Sequence, residues 1–410
     1  MNEKEYIRTL AKQVRDFAES PEMEARRRLW TDHNSGVFTR PPIYIRAIPV
    51  SEYPDMRCRC EDPFLRSIEA NLRFSLFYVG MRDDTIIEPF YKTAASVSHP
   101  KEGPFGLPAG FGERRPGIRC AKFSPSIIEE TDIEKLYTVP YAVNREETNR
   151  QTERLQDALG DILPVAVDTQ AQLCRMWMND ISTVLTYMRG MDDLLYDVYD
   201  RPEWLHRLIS TMQRAILKQM DETERAGGFR SCSTQNQAMP YCRELPPPDA
   251  GARPVSQKEI WGYMASQEFE PFGPDFFEEF MFRYQKPILE RYGLAAYGCC
   301  EDLSRKIGVV RKLSNLRRIA VSPFADVKLC AEQIGGDYII SYRPNPSSAC
   351  SRGVDEDFVR REINRAADIF DACGCKWDVT LKDLETTSGI PDAVPHWTRV
   401  IREELDRRYS

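Results

Sequence analysis

The run Tyr297-Gly298-Cys299-Cys300-Glu301 puts two thiols and a carboxylate within three residues. Thiolates and carboxylates are ligand types that Zn²⁺ accepts, so Cys299, Cys300 and Glu301 are candidate metal ligands. Neighbours on an extended strand face opposite sides. One of the two cysteines, with Glu301 and a group from another strand, is therefore the more natural ligand set; two small residues packing a strand end is the plainer reading. Glu268, Glu301 and Asp383 are candidate general acids or bases, provided crowding and burial lift a carboxyl toward neutrality. Arg343 and Lys382 could clamp an anionic substrate or sit in structural ion pairs. Asp168, Gln267, Tyr297 and Ser322 complete the candidate substrate-binding residues, while Asp326 reads equally as a helix N-cap. The thiol pair Cys373-Gly374-Cys375 precedes a strand and belongs to the opposite end of any parallel sheet.

What gathers these residues is their place directly after apolar runs. Strands are expected at 43–45, 85–87, 163–167, 260–266, 294–297, 318–322, 338–341 and 377–381. Helices are expected at 276–292, 302–313, 325–334, 355–372 and 391–408. A further helix at 202–226 has Asp200 to cap it, Pro202 in its first turn and Gly227-Gly228 to end it. Gly293 suits a left-handed cap on the helix before it. Alternating strands and helices require crossovers, hence a parallel sheet. Eight such strands predict an α/β fold, a closed (β/α)₈ TIM barrel over residues 41–410 with an N-terminal helical extension over 1–40 and long loops at 99–117 and 229–254. In a barrel, chemistry sits at the carboxyl ends of the strands.

The 410 residues carry 56 Lys+Arg against 63 Asp+Glu, a net charge of −7, which argues against a protein built to coat nucleic acid or an anionic membrane. No apolar run approaches the roughly 18 residues of a membrane span, and the start lacks an apolar signal core. The expectation is a cytoplasmic protein; nothing opposes a homodimer. Only four histidines occur, so a metal site would rely on thiolates and carboxylates.

Several motifs together resemble the uroporphyrinogen decarboxylase superfamily, and more closely its bacterial branch near corrinoid-dependent methyltransferases. They are Trp261-Gly262 with Gln267-Glu268, Tyr-Gly-Cys-Cys-Glu at 297–301, Asn-Leu-Arg-Arg-Ile-Ala-Val-Ser-Pro-Phe-Ala-Asp at 315–326, Arg-Pro-Asn-Pro at 343–346 and Leu-Lys-Asp-Leu-Glu-Thr at 381–386. Cys60-Glu61-Asp62-Pro63 and Arg201-Pro202-Glu203 fit the same pattern. The resemblance implies the barrel already read from the strands. It also implies methyl transfer between a small ether or amine and a corrinoid (cobalamin) carried by a separate protein, with an acid or zinc activating the leaving atom. The tetrapyrrole-binding Met-Arg-Gln-Ala-Gly-Arg stretch of true decarboxylases is absent; the nearest strand reads Ile43-Tyr44-Ile45-Arg46-Ala47-Ile48. The zinc relatives use a His-x-Cys pair on the fifth strand and a Cys near the eighth. Here Tyr297 stands at the His position, Cys299 at the first Cys, and Lys382-Asp383 where the last Cys would be. A metal-free decarboxylase or lyase, and a non-catalytic tetrapyrrole- or corrinoid-binding partner, remain the alternatives.

Overall fold

The computed structural model describes residues 2–110, 124–231, 235–251, 253–349 and 353–409. Eight strands lie among them: β1 (Ile43–Ile45), β2 (Tyr91–Ala94), β3 (Val165–Asp168), β4 (Trp261–Met264), β5 (Leu294–Tyr297), β6 (Leu316–Val321), β7 (Ile339–Tyr342) and β8 (Lys376–Leu381). Six of them form one sheet in the order β1-β8-β7-β6-β5-β4, and β2 pairs with β3; every pairing is parallel. β1 lies against β8 with Ile43 opposite Val379, so the end of the chain closes on its beginning and the large sheet curls. Helices cover its outside and supply the crossovers that parallel pairing demands. Ile319 and Val321 face this helical layer, and Arg318 and Ala320 alternate inward. No helix among the described residues is long and apolar enough to cross a membrane.

The two sheets are not joined by strand pairing, and on one side the reason is visible. The backbone N–H of Ile43 and of Ile45 donate to the buried carboxylates of Asp84 and Asp83, at 2.8 and 2.9 Å. Side chains thus satisfy an edge that a neighbouring strand would otherwise fill. The strand expected at 85–87 is absent for a related cause. Its backbone groups are claimed by the helix Pro21–Asn34: Arg26 takes the Thr85 carbonyl at 2.7 Å and Trp30 the Asp84 carbonyl at 2.7 Å. The strand forms instead at Tyr91–Ala94, whose sequence alternates poorly.

Other expectations also shift. The helix expected at 276–292 is Pro274–Phe277, a π-turn at Glu278–Phe282 and Arg283–Leu289. Gly293 is no left-handed cap; an added Cβ would lie 2.1 Å from the Lys258 carbonyl oxygen, so close approach explains it. Asp200 closes the helix Met191–Asp200 and does not cap Pro202–Arg225. Asp326 does cap its helix, accepting the Leu329 N–H at 3.0 Å. Helix 302–313 shrinks to Ile307–Val310.

The excursion at 229–254 requires the largest correction. Where a long exposed loop was expected, residues 235–242 are buried against the strands. Gln237 donates from Nε2 to the carbonyls of Tyr297 and Gly298, at 2.7 and 3.0 Å, and Trp261 donates to the Pro240 carbonyl at 2.8 Å. Of the other loop, residues 111–117 lie outside the described residues.

Candidate active site

Because all pairings are parallel, the carboxyl ends of β4 to β8 share one edge. Gly298 sets the geometry there. Its φ of +95° is left-handed, and a Cβ would stand 2.6 Å from Leu303 Cδ1, so only glycine fits. This turn breaks the two-residue alternation. Tyr297 faces outward, its ring edge-on to Phe277 and Phe282, whereas Cys299 packs inward with Tyr263, Ala265 and Ala296. The Tyr297 hydroxyl is shared between Ser266 Oγ at 2.7 Å and Gln285 Oε1 at 2.6 Å. Tyr297, expected to bind substrate, therefore braces β5 against the helical layer.

The inward cysteine meets charge from two other strands. Lys382 Nζ donates to Cys299 Sγ at 2.8 Å, and the two sulfurs lie 3.6 Å apart. Cys300 Sγ donates to Asp383 Oδ2 at 2.8 Å, and Lys382 also pairs with that carboxylate at 3.1 Å. The one S–H of Cys300 can serve either Asp383 or Cys299; turned to Cys299 it is the largest cause lowering that thiol to about 4, which burial opposes and Arg343 and Lys382 assist. Cys300 moves the other way, held protonated beside its ionised neighbour. The pair thus carries one thiolate and one thiol. Asp383 has φ +61°, a strained backbone for a non-glycine residue.

Arg343 is 1% exposed, and among the described residues none of its three guanidinium nitrogens has a hydrogen-bond partner. Burial alone would favour losing its proton; the charge of the Cys299 thiolate overcomes that. Asn236, from the buried excursion, donates to the Tyr263 hydroxyl at 2.7 Å and approaches Cys299 Sγ at 3.8 Å.

The carboxylates separate into different roles. Glu301 is buried, with its oxygens receiving the backbone N–H of Ser266 at 2.9 Å and of Cys299 at 2.8 Å. Those contacts turn it away from the sulfurs and tie the ends of β4 and β5, so the ligand set expected with Glu301 is replaced. The atoms that do converge are Cys299 Sγ, Cys300 Sγ and an Asp383 oxygen, all within 4.8 Å of one another. They have the chemistry and spacing for a thiophilic ion, with Lys382 ammonium standing against the same atoms.

Glu268 accepts the Ser182 hydroxyl at 2.6 Å, and burial raises its pKa. Beside it lies Asp180, raised well above the usual carboxylate range by burial and then by Glu268. Sequence reading missed Asp180, which follows no strand. A γ-turn holds it: Ile181 has φ +65° and ψ −54°, and Ser182 N–H donates to the Asp180 carbonyl at 2.7 Å. A β-branched residue in that conformation is strained, and such strain clusters at functional sites.

The remaining candidates scatter. Asp168 pairs with Lys92 at 3.5 Å and lines a cavity of about 210 Å³ beside β4 with Arg175, Asn179 and Tyr263. Gln267 is half-buried beside Glu268. Ser322 is buried, and its oxygen accepts the Phe324 N–H at 3.3 Å in a local turn.

No family model matches the sequence, and no curated protein matches it. Solved structures do. One of them, a methyltransferase from Methanosarcina mazei, superposes with a TM-score of 0.52 at 9% identity, over 94% of this chain and 98% of that one. At that identity the likeness is one of fold.

Proposed function

We propose that this chain is a methyltransferase on a (β/α)₈ barrel of the uroporphyrinogen decarboxylase type, moving a methyl group between a small ether or amine and a corrinoid carried by a separate protein. The observation that carries the proposal is the thiolate of Cys299, set against Lys382 and Arg343 where β5, β7 and β8 end, together with the buried carboxyl of Glu268, whose pKa burial raises. The fold it shares with a methyltransferase over nearly its whole length supports the same reading.

Removing a methyl group from oxygen or nitrogen leaves a poor leaving group that needs a proton. Glu268 is placed to supply one: Ser182 donates to its Oε2, and burial raises its pKa above the ordinary carboxylate value. Asp180, beside it, is raised by burial and then by the charge of Glu268, since two carboxylates in one buried site resist sharing negative charge. Glu301 sets the position of Cys299 through its backbone N–H. If zinc takes part, Cys299, Cys300 and Asp383 would hold it, and it would polarise the leaving atom.

The test is methylation of free cob(I)alamin, followed by absorbance, from methanol, methylamines and aryl methyl ethers, with protein prepared with and without zinc. Glu268→Gln should lower the rate about 100-fold, as loss of a positioned acid does, and Cys299→Ser, which removes the thiolate, by a similar factor. Unchanged rates in both variants, or no methylation from any donor, would sink the proposal.

A further inference from the structure

Nine free cysteines lie among the described residues, and one pair of sulfurs stands apart from the others. Cys299 and Cys300 Sγ are 3.6 Å apart, because β5 has ended and the turn at Gly298 no longer sends neighbouring side chains to opposite faces. A disulfide joins sulfurs at about 2.05 Å, so about 1.5 Å of approach closes the gap. Cys174, Cys330 and Cys375 instead lie against a hydroxyl or a carbonyl, at 3.7, 3.6 and 3.6 Å, and burial pushes each thiol up to about 12. Thiols held protonated in this way are inert.

The groups around the pair suit two successive steps. Lys382 Nζ donates to Cys299 Sγ at 2.8 Å, so an ammonium faces the sulfur that must act as nucleophile. Asp383 Oδ2 accepts the S–H of Cys300 at 2.8 Å, so a carboxylate stands ready for the proton that the second sulfur must lose. The left-handed backbone of Asp383 lets these consecutive residues both reach the pair. Cys299 is 1% exposed, but it touches half-buried Cys300, which touches Asp383, whose side chain is 45% exposed. A molecule as small as hydrogen peroxide has one layer of side chains to pass.

We infer that Cys299 and Cys300 form an oxidative modification site, which hydrogen peroxide closes into a reversible disulfide between neighbours. The Cys299 sulfur attacks one peroxide oxygen and the O–O bond breaks. Hydroxide leaves and takes a proton from solvent, and Cys299 becomes a sulfenic acid. Cys300 then passes its proton to Asp383 and attacks the Cys299 sulfur. The S–O bond breaks, and the departing hydroxide takes the proton from Asp383. Both sulfurs are oxidised, and one peroxide is reduced to two waters. Adjacent Cα atoms are about 3.8 Å apart, below the usual disulfide range of about 4.4–6.8 Å, so the bridge is strained and easily reduced. Closing it removes the thiolate and both sulfur ligands from the site. That consequence for methyl transfer rests on the function proposed above; the bridge itself does not.

The experiment is treatment of the purified protein with equimolar hydrogen peroxide, followed by alkylation and peptide mass spectrometry. The peptide holding Cys299 and Cys300 should lose two hydrogens, refuse the alkylating agent and regain both thiols in dithiothreitol. Cys174, Cys330 and Cys375 should stay thiols throughout. Lys382→Gln should slow bridging about tenfold, since the ammonium that activates the attacking sulfur is gone. Cys300→Ser should prevent bridging and leave on Cys299 a sulfenic acid that dimedone traps. Wild-type thermal midpoints in both variants show that they are folded when they react. Oxidation of the buried cysteines at the same rate, or of Cys299 to sulfinic acid with Cys300 still a thiol, overturns the inference. Bridging in a protein that, when reduced, methylates no cob(I)alamin keeps the modification site and rejects the methyltransferase reading. Methylation without bridging rejects the modification site alone.

Discussion

Two arginines are fully buried within the curled sheet, and they are treated oppositely. Arg318, on β6 near the amino-terminal end, meets Asp378 of β8 and the Asn34 side-chain oxygen at 2.8 Å. Asp378 also contacts His33 Nε2 at 3.0 Å, and the helix that carries His33 and Asn34 closes this end. Two of the three guanidinium nitrogens are engaged; Nε alone is not. Arg343, at the other end, has none engaged and depends on the charge of a thiolate. A buried charge is costly unless paired and hydrogen-bonded. The first end spends its polar groups on holding strands together; the second keeps hydrogen-bonding capacity unspent, as a site for a reacting ligand requires.

The largest effect should come from breaking the saturated end. Asp378→Ala leaves Arg318 buried without its carboxylate and should cost about 3–5 kcal/mol in chemical denaturation, the usual penalty for halving a buried pair. Arg343→Met should behave differently. Cys299 can take up a proton when its counter-charge goes, so stability should change by only about 1 kcal/mol, whereas methyl transfer should fall about 100-fold. Equal destabilisation by the two variants would refute the contrast. A smaller effect is spectroscopic: thiolate absorbance in the ultraviolet should persist down to about pH 4, vanish in Cys299→Ser and begin to fade at higher pH in Lys382→Gln. The same trace in wild type and Cys299→Ser would remove the thiolate from Cys299.

The contrast was only half legible in the sequence. Arg343, Lys382, Asp383 and the cysteines could be singled out because they come directly after apolar runs, and apolar runs report strands. Seven of the eight strands were legible for that reason. β2 was not: Tyr-Lys-Thr-Ala carries an inward lysine and ends in alanine, while the apolar decoy at 85–87 packs its backbone on a helix from far upstream. Glu301 looked like a site residue because periodicity cannot foresee that Gly298 reverses the facing of the residues after it, and Tyr297 because its hydroxyl's partners, Ser266 and Gln285, come from other elements. Asp180 and Asn236 were invisible: a strained γ-turn holds one, and the other lies on a loop buried against the strands. The Arg318 network joins residues up to 345 positions apart, as His33 and Asp378 are, and no local pattern announces such a contact.

The two ends should also respond oppositely to pH, an effect smaller than those of the substitutions above. His33 is depressed, first by burial, below its ordinary value of 6.5. It is neutral when folded, while the unfolded chain protonates it below about 6.5, so its contribution is present above that value and lost as pH falls toward the depressed one. Asp180 and Glu268 are raised, first by burial. Their folded forms hold protons that the unfolded chain releases near pH 4, so stability is full below that point and declines as pH rises through their elevated values. The thermal midpoint of the wild type should fall at both extremes. His33→Gln should flatten the acid limb and leave the other, and Asp180→Asn should flatten the limb above pH 4 and leave the acid one. If either variant changed both limbs alike, the two ends would be one coupled network, and the division between a closed end and a reactive one would fail.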